Sequence, residues 1–203
     1  MASSVSPIRL LTCAMVLAVF LLGGCQTSEL ASVDSGMTLL DIHDEHVAPL
    51  RDPADANARV LIFITVECPI ANGYAPEINR LVTDYSSRGV SFTLVQVDRD
   101  LTVAQALEHA RAYGFKCEVV LDPEHRLVKA IGATVTPEAA VMDSSGRMAY
   151  RGRIDDQYAE LGKKHMEASI HDLAAAIDAV LQGEPVAHPR TKAIGCFISE
   201  PAK

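Results

Sequence analysis

Residues 60–68 read VLIFITVEC, and the placement of that stretch decides the fold. Val60–Val66 is a near-continuous apolar, largely β-branched run, the pattern of a strand buried on both faces. Beyond Cys68, residues Ile78, Leu81, Val82 and Tyr85 recur at the helical period, marking one apolar face of a helix that Gly89 closes. A thiol between a buried strand and a helix start sits near helical N–H groups, whose partial positive charge favours the thiolate. Cysteine is also a common buried and inert residue, so position alone does not make Cys68 reactive.

Outward from this core the pattern continues in alternation. Leu39–His43 and His46–Leu50 read as a strand pair, and Asp52–Asn57 as a loop around Pro53. Ser91–Val97 and Glu118–Leu121 are further strands. Between them Thr102 caps a helix with Val103, Ala106, Leu107 and Ala110 on its apolar face. Asp122-Pro123 reads as a helix start with proline at the first helical position. Ala139–Met142 and Arg147–Arg151 flank a turn ending at Gly146, an antiparallel hairpin. Ser169 and Asp172 suggest a capping box for a helix carrying Ile170, Leu173, Ile177 and Leu181, stopped by Gly183. That order implies an α/β domain, a mixed central sheet with helices on both faces. Asp155–Met166 interrupts the last connection and reads as a solvated insertion.

The 203 residues, 49% hydrophobic and 22% charged, suit one domain with appendages and exclude a disordered or fibrous chain. A net charge of −8 argues against nucleic acid as a partner. The seven histidines show no ligand spacing, and His109 and His125 read as surface helix residues, so no metal and no cofactor is expected.

Arg9 precedes the apolar run Leu10–Leu22, which is too short to span a bilayer comfortably and reads as a secretory signal. The run ends in residues 22–25, LGGC, which resembles the lipobox of bacterial lipoproteins and implies lipidation at Cys25. The expected organisation is a signal over 1–24, a tether over 25–37, a domain over 38–183 and a tail over 184–203. The expected location is the bacterial cell envelope, facing the periplasm and held to the membrane by lipid, where disulfides persist.

From about residue 39 to 182 the chain resembles the thioredoxin superfamily. Cys68 matches that family's attacking cysteine, Pro76 its helix-kinking proline, and Gly132–Pro137 with the following hairpin its cis-proline loop. The resemblance implies a thioredoxin-like fold and a cis Thr136–Pro137 bond. It also implies a role for Thr136 and Pro137 in offering backbone hydrogen bonds to an incoming peptide or thiol. The usual second cysteine is missing, because the motif reads CPIA over residues 68–71. The usual preceding tryptophan is Glu67, whose charge is expected to oppose the thiolate. A resolving thiol must come from elsewhere, with Cys196 in the tail favoured over Cys117. Gly195 permits close backbone approach there, and Ile194, Phe197 and Ile198 are expected to dock the tail.

The Gly-Cys-apolar ending, the CPI motif and the stretch Tyr150–Asp156 are similar to a branch of bacterial redoxin-domain proteins related to peroxiredoxins and tethered thiol oxidoreductases. Thr65 and Cys68 reproduce the peroxiredoxin Thr-x-x-Cys spacing, where the hydroxyl positions peroxide, although Leu61 stands where those enzymes carry proline. The first functional expectation is a thiol–disulfide oxidoreductase of the envelope. Its partners would be protein or small-molecule disulfides and thiols, an electron donor, and the membrane through its anchor. The alternatives are a peroxidase, a copper-binding chaperone using both cysteines and a histidine, and a non-catalytic binding module.

Overall fold

A computed structural model describes residues 36–51 and 53–199. The expected signal, Cys25 and nearly all of the tether lie outside the described residues. Among the described residues no helix is long and apolar enough to cross a membrane.

The sheet is built around β3 (Ala58–Ile64), all seven of whose residues are buried. On one side β4 (Val90–Gln96) and then β5 (Glu118–Leu121) continue it in parallel. β1 (Leu39–Asp41) joins β5 antiparallel and carries β2 (His46–Val47) as a hairpin. On the other side β7 (Glu138–Asp143) and β8 (Met148–Gly152) run antiparallel, giving a seven-stranded mixed sheet. This is the thioredoxin-like architecture the sequence implies.

Alternation along β3 explains why helices cover both faces. Val60, Ile62 and Ile64 enter a core with Ile78, Leu81, Leu173 and Ile177, whereas Leu61 and Phe63 enter a second core with Leu127, Val128 and Ile131. Fully burying each such side chain stabilises the fold by about 1.5–3 kcal/mol, so a strand buried on both faces anchors the domain.

β3 stops two residues before the expected end. The Val66 N–H leaves the ladder for the Asp98 carboxylate, 2.9 Å away, which lifts Thr65–Cys68 off the sheet. Pro76 divides the next helix rather than only bending it. α1 (Pro69–Gly73) and α2 (Ala75–Ser86) meet at Tyr74, since a residue without an N–H cannot continue the ladder. α3 (Val103–Ala112) begins with a full capping box between Thr102 and Gln105.

Other helix starts differ from the sequence reading. α4 (Arg126–Ile131) begins after His125, not at Pro123. The fully buried Asp122 carboxylate reaches over the Pro123 turn and accepts the N–H groups of Arg126, Leu127 and Val128 at 2.7–2.9 Å. α5 (Asp172–Gln182) starts at Asp172 without the Ser169 box. Asp156 takes the Ser169 hydroxyl and the N–H groups of Ser169 and Ile170, and Asp172 instead pairs with Arg153 at 2.6 Å. Ile170 is left outside the helix and 51% exposed.

The 155–166 segment is not a solvated insertion throughout. Its hairpin, β9 (Tyr158–Glu160) with β10 (Lys163–Lys164), is exposed at Leu161 and the lysines. Its base is structural: Asp155 is buried and accepts the Tyr74 hydroxyl at 2.6 Å, and the Tyr158 ring packs on Tyr74 at 5.1 Å.

Asp122→Ala strips three backbone donors of their acceptor in a buried place. The expected loss is about 2 kcal/mol or more, read as a lower urea midpoint with unchanged slope.

Candidate active site

Cys68 is the N-cap of α1, in extended conformation, with Pro69 following as the first helical residue. The residue is only 1% exposed, and its sulfur accepts the Ala71 N–H at 3.4 Å. Across from it stands β6 (Val135–Thr136), followed by the cis Thr136–Pro137 bond that the resemblance implied. The Thr136 carbonyl lies 3.0 Å from the Cys68 sulfur and accepts its thiol proton, and the Thr65 and Thr136 hydroxyls are 3.2 Å apart.

The tail reaches the same place. β11 (Cys196–Phe197) pairs antiparallel with β6, Cys196 opposite Thr136 and Phe197 opposite Val135. A Cβ on Gly195 would stand 2.0 Å from the Thr136 carbonyl oxygen, so only glycine lets the tail cross there. Upstream, the Arg151 N–H donates to the Pro189 carbonyl and the Thr191 N–H to the Arg151 carbonyl. The buried Tyr150 hydroxyl meets the Thr191 hydroxyl at 2.6 Å. Ile194 and Ile198 pack on the domain as expected. Phe197 does not and is 80% exposed, because neighbouring residues of a strand face opposite ways and Cys196 faces inward.

The two thiols line the same cavity, close enough to shift one another, and titrate as an unequal pair. Burial pushes the Cys68 thiol up, but donors from the Cys196 thiol and amide, the Ala71 amide and the Thr136 hydroxyl outweigh it, and its pKa falls below the ordinary thiol value. Cys196 moves the other way: burial and the neighbouring Cys68 sulfur push it up to about 11. The two shifts run in opposite directions, so Cys68 is the thiol of the pair that gives up its proton first and Cys196 the one that keeps it longer. Glu67 is exposed, and the largest influences on Cys68 are its burial and the hydrogen-bond donors around it. Cys117 packs on the edge of the first core, its thiol pushed up to about 12 by burial and Glu118.

Further polar groups fix the loop, and the sequence reading missed them. His109 and His125 are buried, not surface residues. Burial lowers the His109 pKa, so the ring is neutral, with Nε2 donating to the Asn72 Oδ1 at 2.9 Å and Nδ1 accepting from Gln96 at 2.9 Å. Asn72 donates in turn to the Val66 carbonyl at 2.8 Å, tying α1 to the Cys68 loop. His109 was findable, since it lies between Ala106 and Ala110 on the apolar side of α3. His125 bonds the Val97 carbonyl at 2.8 Å from a left-handed backbone, which no local pattern announces.

Cys68, Cys196, Thr65 and His125 line a cavity of ≈ 490 Å³. Among the described residues no histidine joins the two sulfurs as a third metal-competent ligand. The group that does satisfy such spacing is Glu77, Asp155 and His171, which includes neither cysteine.

A family model described as Redoxin matches residues 44–168. The chain belongs to the Redoxin family. Redoxin proteins are typically oxidoreductases or peroxidases, and this chain is a thioredoxin-like member of that class. An uncharacterized conserved protein from Geobacillus kaustophilus is 26% identical, with a TM-score of 0.74 over 87% of this redoxin and 96% of that chain. A hypothetical protein from Sinorhizobium meliloti 1021 is 26% identical, with a TM-score of 0.71 over 82% and 92%. A candidate thiol:disulfide interchange protein DsbE from Chlorobium tepidum shares the fold at 18% identity, with a TM-score of 0.57 over 71% and 92%. No curated protein matches this redoxin.

In a pH titration of thiolate absorbance, the first step is expected below the ordinary thiol value. Cys196→Ala removes a donor to the Cys68 sulfur and is expected to move that step upward, whereas Cys117→Ser leaves it in place.

Proposed function

We propose that this redoxin is a thiol–disulfide oxidoreductase in which Cys68 attacks and Cys196 resolves. The observation that carries the reading is that the tail strand sets Cys196 opposite Thr136, beside the Cys68 sulfur at the cis-proline loop, with the Cys68 pKa lowered and the Cys196 pKa raised. The Cys68 thiolate attacks one sulfur of a substrate disulfide, forming a mixed disulfide and expelling a thiolate, which takes a proton. Cys196, once deprotonated, attacks the Cys68 sulfur, expels the second substrate thiolate and leaves a Cys68–Cys196 disulfide. The substrate gains two electrons and the protein loses them. In this reading the side of the Thr136–Pro137 loop that faces Cys68 receives the substrate, its other edge being paired with the tail, and Thr65 supports Thr136 through its hydroxyl.

Peroxide reduction is a second reading, favoured by Thr65 at the wall of the cavity that Cys68 opens into. There Cys68 would break the O–O bond, become a sulfenic acid and condense with Cys196, releasing water. The envelope location and lipidation at Cys25 rest on the signal-like segment 1–24. Cys25→Ser is expected to move the protein from the membrane to the soluble fraction of bacterial cells.

Cys68→Ser is expected to abolish disulfide reduction. Cys196→Ser is expected to accumulate the mixed disulfide at Cys68, seen as an added substrate mass, and Cys117→Ser to behave as the parent. Peroxide consumption without disulfide reduction would replace the first reading by the second.

A further inference from the structure

The edge of β6 is the strand backbone lying beside the Cys68 sulfur, with the Thr136 carbonyl 3.0 Å away. An extended peptide that brought a disulfide to the buried Cys68 would add to this edge, since strand addition supplies main-chain hydrogen bonds where a side chain must be delivered. That edge is already taken. β11 pairs along it, and the ladder continues with the Ile198 N–H donating to the Thr134 carbonyl at 3.0 Å. The strand is held at two stations, Gly195 against Thr136 and Thr191 against β8, where a Cβ on Gly152 would stand 2.1 Å from the Thr191 hydroxyl.

With the tail in place, access runs through the ≈ 490 Å³ cavity that both sulfurs line, a volume suited to a small molecule. Its lining includes three acidic residues, Glu67, Asp98 (whose carboxylate accepts the Val66 N–H) and Asp100, against one basic residue, Arg99. A surplus of negative charge around a cleft repels anions and slows their encounter.

We infer that the substrate is a small disulfide without net negative charge, and that the C-terminal strand keeps peptide chains away from Cys68. This rests on the disulfide-reductase reading above. It names the substrate of the first step: the Cys68 thiolate takes one sulfur of a small R–S–S–R, and RS⁻ leaves through the cavity and is protonated.

The test is single-turnover reaction of the fully reduced protein with cystamine, hydroxyethyl disulfide, glutathione disulfide and insulin, following the mixed disulfide at Cys68 by intact mass. Cystamine is expected to react at least roughly tenfold faster than the anionic glutathione disulfide at low ionic strength, the gap narrowing with salt. Insulin is expected to react far more slowly than hydroxyethyl disulfide. Gly195→Ala drives the tail off Thr136 and is expected to raise the insulin-to-hydroxyethyl-disulfide ratio at least about tenfold, as removing a dominant closed state does. A chain ending at Arg190 gives the same ratio test if the alanine variant folds poorly, and the ratio cancels any change in thiolate fraction. An unchanged ratio in the variants, or glutathione disulfide reacting as fast as cystamine, overturns the inference. Failure of the parent protein with all four disulfides overturns instead the reductase reading beneath it.

Discussion

The backbone of Gly195 passes over Thr136 and Pro137 at a distance no side chain could share. That crossing sets the register of β11 on β6, and the register puts Cys196 opposite Thr136 and so against Cys68. The rest of the site follows from it. The Cys68 sulfur is sequestered because a strand lies over it, its thiolate is stabilised because that strand supplies a donor, and Phe197 is turned to solvent because its neighbour is turned inward.

The electrostatics of the pair are made by short neutral contacts, not by a nearby cation. The nearest carboxylate in sequence, Glu67, is exposed, and the donors to the sulfur are the amides of Ala71 and Cys196, a hydroxyl and a thiol. Such donors act over hydrogen-bond distances and fade if the loop shifts. The buried network of Asn72, His109 and Gln96, with Val66 bound to Asp98, therefore matters although none of its members lies on the sulfur.

Much of this was legible in the sequence because its signals are local. A run buried on both faces, a cysteine at the following helix start, and a Thr-Pro pair before a hairpin each declare themselves within a few residues. The errors came where a distant residue captured a local one. Ser169 looks like a cap until Asp156, thirteen positions earlier in the chain, takes its hydroxyl and amide. Asp122 does signal the helix, but Pro123 sits in the turn its carboxylate spans. Hydrophobicity alone docks Phe197, whereas its direction is set by the strand alternation that the Cys196–Thr136 pairing imposes. The base of the 155–166 segment was invisible for the same reason: Asp155 is acidic in composition and buried only because Tyr74, far earlier in the chain, meets it.

The station at Thr191 gives the tail a short leash. Only residues 192–195 separate the anchored Thr191 from Cys196, so the second thiol never diffuses away from the first. Its local concentration at Cys68 is set by that leash, on the order of millimolar or higher even when the strand is lifted. A free thiol in the surroundings must match that concentration to intercept a mixed disulfide. Closure of the internal bond is thereby insulated from the composition of the medium, and the protein's redox state reports its disulfide substrate and its reductant rather than bystander thiols.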